Sequence, residues 1–269
     1  MKIDELKEKA KQIRKDILEM IAKANSGHPG GSLSATDIIV TLYYHKMRHN
    51  PKKPDWEDRD RFVLSKGHCC PAVYAVLARQ GYFPASKLKT LRQVDSMLQG
   101  HPDMKKTKGI EMSTGSLGQG LSVANGMAIA GRLDKKDYRV YCMIGCGESQ
   151  EGQIWEAAMT AAHYKLDNLV CIQDYNKLQI DGSINSVKCV EPIKDKWRAF
   201  GWHVIEIKGH NFKEIIKALD DADKVKGKPT MILANTIKGK GVSFMENNAG
   251  WHGKAPNEEE LKRALKELE

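Results

Sequence analysis

The run from Val140 to Gly182 constrains the fold more than any other stretch. Val140 to Ile144 is a short apolar run that enters a glycine turn, Gly145-Cys146-Gly147. A helical stretch follows, with Ile154, Ala158, Ala161 and Ala162 on one side. A second apolar run, Leu169 to Ile172, then ends in polar Asp174, Asn176 and Gln179. Strand, glycine turn, helix, strand is a βαβ unit, and its two strand C-termini lie side by side. Open α/β sheets bind ligands at that edge, with phosphates facing helix N-termini. A lone Gly-x-Gly turn fits any phosphate-binding unit of this kind, so the rest of the chain must decide which.

The rest alternates in the same way. Residues 4 to 24 carry Leu6, Ala10, Ile13, Ile17 and Ile21 at helical spacing. Between Asn25 and Ser34 glycine and proline are dense enough to predict an exposed turn, with Ser34 as cap of a helix over 35–47. After a polar loop, Phe62 to Ser65 reads as a short buried strand ending in Lys66-Gly67-His68. The piece 86–112 contains a Gly100-His101-Pro102 turn. Gly115, Gly118 and Gly120 open a helix over 121–132, and glycines there let backbone come close to a ligand. Trp202 to Ile207 and Thr230 to Ala234 are further strands around an amphipathic helix over 211–225, and 257–269 is a charged terminal helix. The expectation is one α/β domain over 1–269, with a mostly parallel central sheet and helices on both faces.

Bulk properties narrow the class. A chain of 269 residues that is 41% apolar can bury one good core or two small ones. No apolar run approaches the length needed to span a bilayer. The first residues are charged throughout and lack an apolar signal core, which points to the cytoplasm. Six cysteines match no paired zinc pattern, so buried thiols in a reducing compartment are expected. The net charge of +9 is scattered, without a basic stripe interleaved with aromatics. A solvated surface and attraction of anionic sugars or a diphosphate explain it better than nucleic acid.

Taken together, these loops resemble the thiamine diphosphate enzymes, and among them the transketolases. The family pattern of a Gly-Asp-Gly turn and a later Asn is met by Gly145-Cys146-Gly147 and by Asn176, thirty residues after Cys146. SGHPGGSLS at 26–34, SKGH at 65–68, Gly100-His101-Pro102, the GSLGQG loop at 115–120, and TIKGKG to Trp251-His252-Gly253 are similar to transketolase segments in the same order. The resemblance covers nearly the whole chain. It implies the thiamine diphosphate-binding fold, with Gly147 and Glu148 at the diphosphate. It also implies that the backbone of Gly115, Ser116 and Leu117 holds the aminopyrimidine side. His28, His68, His101 and His252 would face the sugar, with His68 and His252 also reaching the cofactor. A metal ion, magnesium or else calcium or manganese, would sit on residue 146, Asn176 and the backbone carbonyl of Leu178. Cys146 stands where the family has a metal-binding aspartate, and a thiolate is a poor match for a hard ion.

The likeness stops where transketolases usually continue into a pyrimidine-binding and a C-terminal domain. It therefore implies the N-terminal subunit of a split transketolase, completed by a C-terminal subunit in a heterotetramer built on a homodimer. Such a pair would move a two-carbon ketol unit between phosphorylated ketoses and aldoses. The glutamate that ionises the aminopyrimidine would come from the partner, with Glu151 placed to pair with it. A degenerate cofactor-binding subunit, or another thiamine diphosphate enzyme, is the alternative.

Overall fold

The structure is a computed structural model that describes residues 1–269. In chain order the helices are α1 (Ile3–Ala24), α2 (Pro29–Thr41), α3 (Cys70–Gln80), α4 (Gln119–Leu133) and α5 (Gly152–His163). They continue with α6 (Ile184–Val187), α7 (Ile193–Ala199), α8 (Phe212–Lys224) and α9 (Glu258–Glu267). The strands are β1 (Arg61–Leu64), β2 (Val140–Gly145), β3 (Leu169–Tyr175), β4 (Leu178–Gln179), β5 (Gly182–Ser183), β6 (His203–Lys208) and β7 (Thr230–Asn235). Five strands form one wholly parallel sheet in the order β1-β2-β3-β7-β6, and β4 and β5 make a small separate ribbon.

Alternation along the strands builds two cores, one on each face. Phe62, Leu64, Tyr141, Met143, Val170 and Ile172 point to a core of 47 buried residues shared with α1, α2, α3, α8 and α9. Val63, Val140, Cys142, Ile144, Leu169 and Cys171 point to the opposite core of 24, built with α4, α5 and α7. A strand that buries both faces reads as a nearly continuous apolar run, and β2 and β3 are apolar over most of their length for that reason.

The βαβ unit, the α1 stripe and the strand positions agree with the sequence expectation. The segment 25–34 does not. It is no exposed turn: α2 begins at Pro29, and all of its thirteen residues are buried. Proline fixes φ at the first helical position, where its missing N–H costs nothing, so Pro29 starts the helix. Ser34 is therefore inside α2 rather than its cap. The helix also ends early, at Thr41, and a single π-helical turn carries the chain to Lys46.

Candidate active site

Parallel strands all point their C-termini the same way, and four neighbouring ends converge here. The chain leaves β1 through Ser65-Lys66-Gly67-His68, β2 through Cys146-Gly147-Glu148, β3 through Asn176 and β7 through Thr236-Ile237-Lys238. Register places Gly145 level with Asp174, and Asp174 level with Ala234. Above this edge lies a cavity of about 470 Å³. His28, His68, His101, Gly115, Leu117, Cys146, Gly147, Glu148, Glu151, Asn176, Leu178 and His252 line it, so twelve of the thirteen residues singled out in the sequence come together. Ser116 does not line it and is exposed. The first turn of α2 reaches the cavity at Gly31, where a Cβ would lie 2.6 Å from Cys69 Sγ.

The floor is a closed polar node. Asp174, fully buried in β3, pairs with Lys66 and accepts hydrogen bonds from Ser34 Oγ (2.6 Å), Thr236 Oγ1 and Asn176 Nδ2 (3.1 Å). Burial alone would push the Asp174 carboxyl up, but the Lys66 ammonium and these hydrogen bonds hold it below its ordinary value. The same pairing raises Lys66 above its ordinary value, against the cost of burial. These two charges cancel, so neither is available to a ligand.

Lys238 differs. It is 2% exposed, lines the cavity and forms no ion pair; its Nζ lies 2.9 Å from His252 Nδ1. Burial, reinforced by the Lys66 charge, pulls it down to about 8. A buried cation without a counter-ion is costly, so an anion entering this cavity would be stabilised beside Lys238.

Four imidazoles form the cavity wall. The His28 ring centroid lies 5.1 Å from that of His68, 5.3 Å from that of His252 and 6.4 Å from that of His101. Burial and the Arg92 charge bring His28 down to about 4, and burial with the Lys238 charge brings His252 down to about 3. Burial also lowers His68 and His101, so all four rings are neutral at pH 7. Each then offers one nitrogen donor and one acceptor. The Nδ1 of His28 is buried without a partner.

Glu148 acts as a strut. Its carboxylate accepts from Ser65 Oγ and Gly118 N (2.9 Å) on one oxygen and from Gly145 N (3.0 Å) on the other. It thus ties the ends of β1 and β2 to the loop at 115–120. Gly118 makes the turn with φ +88°, a conformation only glycine adopts freely. Glu151 is exposed on the cavity rim at the start of α5.

The donor set for a hard divalent ion does not fit. Cys146 is buried, its Sγ accepts from Lys177 N (3.2 Å), and its thiol donates to Asp174 C=O (3.3 Å). Burial and the nearby Asp174 charge push this thiol up to about 12, so it stays protonated. Asn176 Oδ1 and the Leu178 carbonyl are neutral, and no three His, Cys, Asp or Glu side chains converge as ligands. Magnesium and calcium need several oxygen donors, with carboxylates carrying the charge; the buried carboxylates here, Asp174 and Glu148, are already engaged, and Glu151 and Asp181 line the cavity only from exposed positions. Cys142 and Cys146 form no soft-metal pair either; Cys142 points into the core beside Cys171.

Sequence reasoning passed over Lys66, Asp174 and Lys238 as site residues. Each sits at the C-terminal end of a buried strand or just past it, and Lys66 and Lys238 also fall inside SKGH and TIKGKG, the segments that resemble transketolases.

The transketolase, thiamine diphosphate binding domain family matches residues 6–268 of the chain. The 6-deoxy-6-sulfo-D-fructose transketolase subunit SqwG of Clostridium sp. (strain MSTE9) is 52% identical, over 98% of this chain and 96% of that one. An apulose-4-phosphate transketolase subunit of Phocaeicola vulgatus is 44% identical, over 100% and 95%. The crystal structure of transketolase from Campylobacter jejuni superposes with a TM-score of 0.94 at 38% identity. It covers all of this chain and 43% of that one.

Proposed function

The chain belongs to the transketolase family, matching its thiamine diphosphate-binding domain, and from that premise we propose that it is the N-terminal subunit of a two-chain transketolase. It moves a two-carbon ketol unit between phosphorylated ketose and aldose sugars, with thiamine diphosphate as cofactor. One observation carries this reading. A single cavity over four adjacent strand ends gathers four neutral imidazoles and one uncompensated ammonium. Relatives of nearly the same length that are named as transketolase subunits support the two-chain arrangement. Glu151, on the exposed rim, is placed to meet a second polypeptide, which supplies the glutamate that ionises the aminopyrimidine. A heterotetramer built on a homodimer fits this division, and five buried free thiols suit the cytoplasm.

When bound, thiamine diphosphate supplies the electron sink for the carbon–carbon bond that breaks and re-forms. The chain's own residues bind and orient. Lys238, Asn176 and the backbone at Gly147 receive the diphosphate, while Gly115 and Leu117 flank the aminopyrimidine side. His28, His68, His101 and His252 hold the sugar hydroxyls and pass protons at their ring nitrogens. Neutral rings suit this, because each can accept a hydroxyl proton at one nitrogen and donate from the other. No divalent ion enters the scheme, because the donor set does not fit one.

The test is a ketol-transfer assay on the chain mixed with a transketolase C-terminal subunit, thiamine diphosphate, and a ketose donor with an aldose phosphate acceptor. The donors should include both phosphorylated ketoses and 6-deoxy-6-sulfo-D-fructose. Transfer is the expected result. A complex that assembles and binds cofactor but transfers nothing from any donor would favour a second reading, a non-catalytic cofactor-binding subunit, which the loss of the carboxylate at Cys146 motivates.

A further inference from the structure

Two observations about the diphosphate end of the cavity point the same way. The position that faces Asn176 and Leu178 carries a neutral thiol, locked at both ends by Lys177 N and the Asp174 carbonyl. For Cys146 to hold an ion it would have to lose its proton and both hydrogen bonds, and would then offer a soft donor to a hard cation. Asp174 cannot substitute, because Lys66, Ser34, Thr236 and Asn176 already engage its carboxylate. Meanwhile Lys238 holds an ammonium that is almost wholly buried, aimed into the cavity and paired with no carboxylate. A divalent ion screens a diphosphate by placing positive charge against its oxygens, and a desolvated ammonium does the same without ligands of its own.

Building on the functional reading above, we propose that this chain holds the cofactor's diphosphate without a divalent cation, with the Lys238 ammonium in the ion's place. Cys146 is then no defect in a metal site. It bridges the end of β2 to β3 and to the residue after Asn176. His252, 2.9 Å from Lys238 Nζ, keeps the ammonium directed at the cavity.

The experiment is the dissociation constant of thiamine diphosphate, measured by calorimetry on the full chain assembled with a C-terminal subunit. It is run in EDTA and again in magnesium. In the native complex the two values should agree within about twofold, since no ion is bound. Lys238→Met should weaken binding at least about tenfold in both buffers, the loss expected for a charge-assisted hydrogen bond, while Lys238→Arg should retain most of the affinity. Cys146→Asp should make binding magnesium-dependent, with tighter binding in magnesium than in EDTA. If Lys238→Met does not fold, the native comparison decides alone. Native affinity that falls tenfold in EDTA and returns with magnesium, manganese or zinc would overturn the proposal and leave the functional reading intact. Failure of native and Cys146→Asp complexes to bind the cofactor in either buffer would overturn both.

Discussion

At the scale of single residues the chemistry turns on which charges are compensated. Lys66 and Asp174 neutralise each other, whereas Lys238 stands alone at about 8. An anion in the cavity raises the Lys238 value, so cofactor binding takes up a proton once the free site begins to lose it. Affinity for thiamine diphosphate is therefore expected to be full below pH 8 and to fall above it, by up to about tenfold per pH unit. The groups facing Lys238 do not share that range. His28, His68 and His252 are already neutral, Cys146 and Cys69 are pushed up, and Lys66 and Asp174 are locked as a pair. Calorimetry between pH 7 and pH 10 measures this, and a flat profile would contradict the role given to Lys238. The histidines were legible in the sequence because the loops that carry them resemble transketolase segments, at SGHPGGSLS, SKGH, Gly100-His101-Pro102 and Trp251-His252-Gly253. Lys66 and Lys238 were not, since a lysine beside glycine reads as solvated until burial is known.

At the scale of elements, α2 departs most from its sequence pattern. It is apolar around its whole circumference, so it has no stripe from which its ends can be read, and its glycines and proline resemble a loop. α1 and α8 are amphipathic, and their bounds were legible to within a residue or two. What ties α2 to the ligand side is Asp37. Its carboxylate pairs with Arg14 of α1 at 2.8 Å and accepts from His210 Nδ1 at 2.7 Å, and His210 Nε2 in turn accepts from Ile237 N at 2.8 Å. That chain of contacts fixes the backbone next to Lys238. Asp37→Ala leaves a buried guanidinium unpaired and is expected to cost about 3–5 kcal/mol, as for other broken buried pairs. Urea unfolding measures the loss; a change under about 1 kcal/mol, the range of an exposed pair, would show that the contacts are not structural.

For the whole molecule, alternation of strands and helices made the α/β fold with its parallel sheet legible, and the likeness to a solved transketolase agrees. Strand order was not legible: β7 inserts between β3 and β6, and only that placement brings Lys238 to the site. Nothing in local pattern encodes a neighbour so distant in sequence. Holding four histidines neutral also affects stability. Their folded values lie below the unfolded one, so the unfolded chain binds more protons as pH falls below about 6.5. Stability is expected to be full above that pH and to decline as pH drops toward the His28 value of about 4 and the His252 value of about 3. A urea midpoint lower at pH 5 than at pH 7 would bear this out, and an unchanged midpoint would count against neutral rings. The central claim is that this chain is one half of a ketol-transfer enzyme. Its most direct test is the transfer rate at fixed chain concentration, with thiamine diphosphate saturating, as a transketolase C-terminal subunit is titrated in. The account expects no turnover at the start and a rise to a plateau at equal amounts of the two chains, whereas turnover by the chain alone, unchanged by the addition, would contradict it.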